Sequence, residues 1–324
     1  MNNVYPNINI RSKNEIAKRL STANYSKKEA LADINECLSN MDALWKDSNS
    51  SNPEKGKYVR NASHTKLGKI LRGIDRRILA PYDAKLPSFI HGSIKGKNIK
   101  SAALVHLGHH KKRTVLKIDL RRYYEHITEE DVISTFCKMG CTPETCRILA
   151  KICCVNEGAK NNPLDGRVLA RGFATSGRIA AWCNLIVFNR IFWLMKKVLK
   201  NNDPVMTVYV DDINITASNV SPKQMADLYF KIRDLIRKYG NNKLEVNDDK
   251  TKIINYRNRK YDLNGQFIGH AQYEVLGIKL ERNSLKIGAK TKAKYRRLKD
   301  NGYSNSKKKC SLKSLRMYAA YIET

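Results

Sequence analysis

The chain has 324 residues, with 61 Lys and Arg against 30 Asp and Glu, a formal net charge of +31. A surplus of that size makes a compact chain repel itself, so a polyanion is the natural partner. The opening MNNVYPNINIRSKNE carries no basic stretch followed by an apolar one, and the most apolar long stretch, Ile179 to Leu199, is interrupted by Asn184, Asn189, Arg190, Lys196 and Lys197. No membrane partner is expected; a cytoplasmic, nucleic-acid-facing protein is.

With 42% hydrophobic residues, 16 Tyr and only 8 Pro, the chain can bury a core, which excludes global disorder. One large domain or two to three sub-domains fits the length. Of the 8 cysteines, Cys137, Cys141, Cys146 and Cys153 lie close together, but no His falls among them at ligand spacing. Reduced thiols, rather than a zinc cluster, are expected.

In chain order, Ser26 and Glu29 form a capping box ahead of Leu31, Ile34, Leu38, Met41 and Trp45, which predicts a helix of about five turns. A polar stretch, Lys46 to Lys57, leads to a second helix carrying Leu67, Ile70, Leu71, Ile74 and Ile78, and Pro81 to Gly96 reads as loop. Then the period changes. Thr114 to Leu120 is a short β-rich run that ends by delivering Asp119. Two helices follow, capped by Thr128 and by Thr142 with Pro143 in the first turn. The Gly-containing loop Arg171 to Gly177 enters a long helix with Ile179, Trp182, Ile186, Ile191 and Trp193 at its apolar positions. Val205 to Thr216 reads as a hairpin with Asp211 and Asp212 at its bend. Ser221-Pro222 opens another helix, and short strands near Leu244 to Val246, Lys252 to Tyr256 and Tyr273 to Leu280 complete an α+β block. From Lys286 to Thr324 the chain has twelve Lys or Arg against two acids. That stretch is either a solvated basic tail or, given the interspersed Leu298, Leu312, Leu315 and Tyr318, ordered helices with a basic face.

Nucleotidyl transfer by two metal ions needs carboxylates on rigid neighbouring elements, because hard divalent cations take oxygen ligands and bridge the attacking and leaving oxygens. Asp119 at one strand end and Asp211-Asp212 at a hairpin bend meet that need if their strands pair.

These residues carry a resemblance. Tyr209-Val210-Asp211-Asp212 resembles the YxDD box of reverse transcriptases, and Lys117 to Tyr124 resembles the family's strand with a metal-binding Asp and an aromatic five residues on. Leu169 to Ser176 is similar to the LPQGxPTS loop, with Arg171 for Gln, and Gly177 stands where the family has Pro. His91 to Asn98 resembles the fingers segment of bacterial members. Order and spacing agree over roughly residues 65 to 322, most similarly to retron reverse transcriptases. The NAxxH and VTG motifs of that group are partly kept, as Ala102-Ala103-Leu104-Val105-His106 and Val275-Leu276-Gly277.

The resemblance implies an α+β right-hand polymerase fold: fingers, a palm of antiparallel sheet plus helices, and a short helical thumb. It places an N-terminal helical region at 1–64, fingers at 65–114, palm with interspersed fingers elements at 115–282 and a basic thumb at 283–324. It implies that Asp119 and Asp211 hold two Mg²⁺ ions (or Mn²⁺) with help from the Leu120 carbonyl, and that Asp212 supports them. Tyr124 would exclude a ribose 2′-hydroxyl, unless Tyr123-Tyr124 is only core aromatic. Lys95 and Lys97 are candidates for the triphosphate. Arg171 and Gly172 lie beside the nucleotide, where Gly172 lets the backbone approach the base pair. Lys250 either protonates the leaving pyrophosphate or is a solvated turn residue. Arg296, Arg297, Lys307, Lys308 and Lys309 would follow the duplex. His106, His109 and His110, followed by Lys111, Lys112 and Arg113, read as a phosphate-facing loop. The implied partners are a non-coding RNA template, the RNA–DNA duplex, dNTPs and an effector protein encoded nearby in an anti-phage system. Alternatives are a defence-associated enzyme making untemplated or protein-primed DNA, and a non-catalytic RNA-binding scaffold.

Overall fold

The computed structural model describes residues 4–108, 112–240, 244–300 and 306–324, apart from the side chains of residues 300 and 306–309. The chain opens with helices α1 (Lys13–Leu20) and α2 (Lys27–Ser39), a short ladder of β1 (Lys46–Asp47) with β2 (Arg60–Asn61), and α3 (Lys66–Gly73), which continues as a wider turn over Ile74–Leu79. Next come α4 (Ile99–Leu104), β3 (Arg113–Arg121), α5 (Glu129–Lys138), α6 (Pro143–Cys153) and the hairpin of β4 (Cys154–Ala159) and β5 (Asn162–Leu169). Helices α7 (Ser176–Cys183) and α8 (Leu185–Val198) lead to β6 (Val205–Tyr209), β7 (Asp212–Ser218) and α9 (Pro222–Tyr239). The remainder is β8 (Glu245–Val246), β9 (Lys252–Asn255), β10 (Arg259–Tyr261), β11 (Phe267–His270), β12 (Glu274–Val275), β13 (Ile278–Leu280), β14 (Leu285–Ile287), α10 (Ala289–Asp300) and α11 (Ser306–Glu323). It is a mixed helix-and-sheet structure whose strand pairs are antiparallel.

Two compact bodies share this chain. The first comprises Met1–Lys95, Arg122–Val187 and Gly240–Glu245. Its helices are set by local signals: Ser26 and Glu29 close the expected capping box on α2, and Thr128 with Asp131 closes one on α5. Helix α2 is shorter than its apolar spacing predicts. Ser39 turns its hydroxyl back onto the Asn35 and Glu36 carbonyls and Asn40 leaves helical geometry, so Met41 and Trp45 reach the core from a 3₁₀ turn and an extended residue. Thr142 precedes α6 without capping it through its side chain; the hydroxyl engages the Arg11 carbonyl and Thr145 instead. The long helix expected after Gly177 is broken at Asn184, whose amide donates to the Ala180 carbonyl at 3.1 Å and competes with the helix ladder. Buried Arg178 is held by Asp75 and by both carboxylate oxygens of Asp83.

The second body comprises Gly96–Arg121, Phe188–Tyr239 and Val246–Thr324. Its main sheet runs β11-β10-β9-β3-β7-β6, which puts β3 in the interior, and α9 packs on β3 and β9. Val115, Leu116 and Ile118 are fully buried, as a strand covered on both faces requires. The three-stranded β12-β13-β14 sheet shares a core with α4 and α11: Ala103, Val115, Ile254, Val275, Ile278 and Ile322 lie in one apolar cluster. The basic C-terminal stretch is therefore ordered helix in its described part. Among the described residues no single helix is long and apolar enough to cross a membrane.

Candidate active site

Pairing of β3 with β7 decides the site. The register sets Asp119 directly opposite Asp212, and β7 in turn sets Asp212 opposite Tyr209 across a two-residue turn of Val210 and Asp211. Residues facing each other across an antiparallel pair have Cβ atoms roughly 4.5–5.5 Å apart, so both carboxylates emerge at one end of the sheet. The Leu120 amide donates to the Asp211 carbonyl at 3.0 Å, tying the turn to the strand that carries Asp119. Val210 takes φ +60. A β-branched residue rarely adopts that conformation, and such strain persists only where the surroundings impose it.

The turn after β8 completes the surroundings. The Asn247 amide donates to the Asp119 carbonyl at 2.8 Å and its side chain to Asp119 Oδ2 at 3.2 Å. Lys250 Nζ reaches the same carboxylate at 3.1 and 3.3 Å. Burial, and then the neighbouring Asp211 charge, push the Asp212 carboxyl up to about 6. A cavity of about 450 Å³ opens here, with Asp119, Asp212, Lys250, Leu276 and Lys290 among its walls.

This donor set fits divalent cations. Half-buried, mutually repelling carboxylates gain from a positive charge, and the Lys250 ammonium already stands beside Asp119 as a cation would. Among the described residues no three acidic, His or Cys side chains form a closed cage. Mg²⁺ is commonly held by one or two carboxylates, with substrate phosphates and water supplying the rest, so an open set suits it.

The remaining expected site residues lie in both bodies. In the first, Tyr123 is core, with its hydroxyl on the Ala180 carbonyl, whereas Tyr124 is half-buried. The Arg171 guanidinium lies 5.0 Å from the Tyr124 ring centroid and makes a two-pronged bond to Glu125 at 3.0 and 2.9 Å. Gly172, at φ +100, makes its close approach within the protein: a β-carbon there would stand 2.5 Å from the Arg60 carbonyl oxygen. Gly177 is needed against Ser93, whose Oγ would lie 1.8 Å from an added β-carbon. Lys95 is exposed, its amide on Asp83 at 3.0 Å.

In the second body, Lys97 is half-buried and Arg296 and Arg297 are exposed on α10. The side chains of Lys307, Lys308 and Lys309 lie outside the described residues, as do His109, His110 and Lys111. The phosphate-facing loop does not hold for two of its members. His106 is fully buried with its ring nitrogens 2.8 Å from the Thr207 hydroxyl and 2.9 Å from that of Thr216, and Arg113 is buried against Asp203. Asn247 was missed from the sequence, since its only local signal is the turn composition of Asn247 to Thr251.

An antiparallel sheet that brings an aspartate from an interior strand beside an Asp-Asp hairpin bend defines a palm-type polymerase. The chain belongs to the reverse transcriptase (RNA-dependent DNA polymerase) family, whose model matches residues 53–280. It is 25% identical over 223 residues to the retron Se72 reverse transcriptase of Salmonella heidelberg (strain 579083-10), covering 67% of this chain and 54% of that protein. It is 26% identical over 194 residues to the retron Mx65 reverse transcriptase of Myxococcus xanthus, covering 56% of this chain and 42% of that protein. The chain thus spans about half the length of the curated relatives it matches. The retron-type likeness expected from the motifs is borne out.

Proposed function

We propose that this chain is a retron-type RNA-directed DNA polymerase that copies a dedicated non-coding RNA into DNA. The observation that carries the reading is the register of Asp119 with Asp212 beside Asp211, in a chain of this family. Asp119 and Asp211 would hold two Mg²⁺ ions, with the Leu120 carbonyl assisting and Asp212 supporting the site. When bound, the ions lower the pKa of the primer hydroxyl and neutralise the triphosphate. Asn247 orients Asp119 through one backbone and one side-chain bond. Lys250 holds a proton within reach of the site, where a leaving pyrophosphate can take it. Tyr124, kept in place by Arg171 and Glu125, faces the sugar of the incoming dNTP and excludes a 2′-hydroxyl. Lys95 and Lys97 bind the triphosphate from the fingers, residues 65–114. Arg296, Arg297 and the lysines at 307–309 follow the RNA–DNA duplex along the thumb, residues 283–324.

On the likeness to retron enzymes we also propose a cytoplasmic role in anti-phage defence, with an effector protein encoded nearby. Primer extension on an RNA template tests the core of the proposal. The wild type incorporates dNTPs in Mg²⁺, and Asp211→Asn/Asp212→Asn does not; equal incorporation by both refutes it.

A further inference from the structure

Two cysteines of the first body, Cys137 and Cys146, form a pair. Cys137 is the last residue but one of α5 and is exposed, whereas Cys146 lies in the first turns of α6 and is fully buried. Cys137 Sγ donates to Cys146 Sγ at 2.8 Å, well inside ordinary contact between two sulfurs. Cys153 and Cys183, by contrast, meet the hydroxyls of Thr175 and Thr135. A disulfide sets its sulfurs about 2.05 Å apart, so the pair has only roughly 0.8 Å to close.

The turn between the two helices is fixed from outside. The Met139 carbonyl accepts the Ile8 and Asn9 amides at 2.7 and 3.2 Å, the Thr142 amide donates to the Ile10 carbonyl at 3.0 Å, and the Thr142 hydroxyl engages the Arg11 carbonyl. Both helix ends are therefore held in place, and the thiols meet with no loop left to order.

The two thiols also differ in what they can do. Cys137 is open to solvent, where a small oxidant reaches it. Burial, and then the bond with Cys137, hold the Cys146 thiol above its ordinary pKa, so Cys146 keeps its proton and Cys137 takes the first step. An accessible thiol with a second thiol poised beside it is the pairing that traps a sulfenic acid before it oxidises further.

We propose that Cys137 and Cys146 are a modification site, at which hydrogen peroxide forms a reversible disulfide between α5 and α6. The Cys137 sulfur attacks one peroxide oxygen. An S–O bond forms, the O–O bond breaks, and the departing hydroxyl leaves with the Cys137 proton as water, giving a sulfenic acid. The Cys146 sulfur then attacks the Cys137 sulfur. The S–S bond forms, the S–O bond breaks, and the hydroxyl departs with the Cys146 proton as a second water. The two sulfurs together lose two electrons and the peroxide gains them. A dithiol reverses the change by exchange at the accessible Cys137 sulfur.

The test treats the full chain, reduced and freed of added thiol, with hydrogen peroxide, blocks the remaining thiols with N-ethylmaleimide and maps the unreduced tryptic digest by mass spectrometry. Cleavage after Arg122, Lys138 and Arg147 puts the two cysteines in separate peptides, so the expected product is 123–138 joined to 139–147 through Cys146, and dithiothreitol removes it. In Cys146→Ser the link is gone, dimedone captures a sulfenic acid at Cys137, and several-fold more of Cys137 proceeds to sulfinic acid. Cys137→Ser leaves Cys146 a thiol. Both variants keep wild-type primer extension in dithiothreitol, and the wild-type map stands without them should either fail to fold. At doses that oxidise the exposed Cys310, a wild-type Cys137 that stays a thiol, stops at sulfinic acid, or links to Cys141 or to a second chain instead overturns the proposal.

Discussion

Gly172 gives a stringent check on the backbone that carries Arg171. Two separable costs attend Gly172→Ala. At φ +100 an alanine pays about 1–2 kcal/mol for left-handed backbone. The added β-carbon would also stand 2.5 Å from the Arg60 carbonyl oxygen and 3.1 Å from its nitrogen. Arg60 cannot retreat, because its amide donates to the Arg171 carbonyl at 2.6 Å and its guanidinium is anchored on Asp47 and on the Asn156 and Gly158 carbonyls. Relief of the clash therefore breaks the Arg60–Arg171 bond and strands a buried donor, a further cost of about 1–3 kcal/mol. The sum is roughly 2–5 kcal/mol. Gly56 supplies the control: at φ +59 with nothing within 4 Å, Gly56→Ala bears only the first cost. Urea titration of the two variants should show Gly172→Ala the less stable by about 1–3 kcal/mol, which is about 2–4 °C of melting temperature per kcal/mol in a body of this size. Equal losses in the two variants would refute the close-approach argument and leave only backbone conformation.

Three further outcomes are expected. Lys250→Ala lowers single-turnover incorporation by about 10²-fold or more if the lysine donates a proton; an unchanged rate would reduce it to a surface ion pair with Asp119. Tyr124→Ala raises ribonucleotide incorporation relative to deoxynucleotide by about tenfold or more, the worth of about 1.4 kcal/mol of steric exclusion, as measured by primer extension with rNTPs; retained discrimination would move the gate elsewhere. Burial holds the His126 imidazole below its usual 6.5, so the unfolded chain takes up a proton at higher pH than the folded one. Stability then falls as pH drops through 6.5, with a slope of up to about 1.4 kcal/mol per pH unit; His126→Phe should flatten that slope in urea titrations at successive pH values, and an identical slope would reject the assignment.

What could be read ahead of the structure depended on how local the signal was. Strands β3, β6 and β7 announce themselves as β-rich runs next to acids, and a one-residue slip of β7 would exchange buried Ile213 and Ile215 with the buried polar Asn214 and Thr216 of its other face. The β4–β5 hairpin was not visible, because Asn162 to Asp165 are all exposed and interrupt any apolar alternation. The same holds for β10 and β11, where Phe267 and Ile268 are exposed. Helix breaks at Asn40 and Asn184 turn on a competition between side chain and backbone that apolar spacing does not register. His106 shows the wider limit: basic neighbours suggested a phosphate-facing loop, yet its partners, Thr207 and Thr216, lie more than a hundred residues away and are apparent only once β6 and β7 are folded.

The net charge of +31 takes on a different meaning at the cavity beside Asp119 and Asp212. Among the described residues its walls carry four acids, Asp119, Asp212, Asp249 and Glu274, and four lysines, Lys117, Lys250, Lys252 and Lys290. In a chain with two basic residues for each acidic one, this is a locally neutral patch. Burial first, and then Lys117, Lys260 and Lys290 nearby, depress the Lys252 ammonium. A triphosphate entering neutral walls gains little until cations neutralise it, whereas RNA held on the basic surface needs none. Retention of RNA should then fall steeply with salt, with a log–log slope near −0.7 per phosphate contacted on a single strand. It should persist in EDTA and in Asp119→Asn, while incorporation is lost in both. Holding the template and making the bond would thus depend on different charges of the same chain.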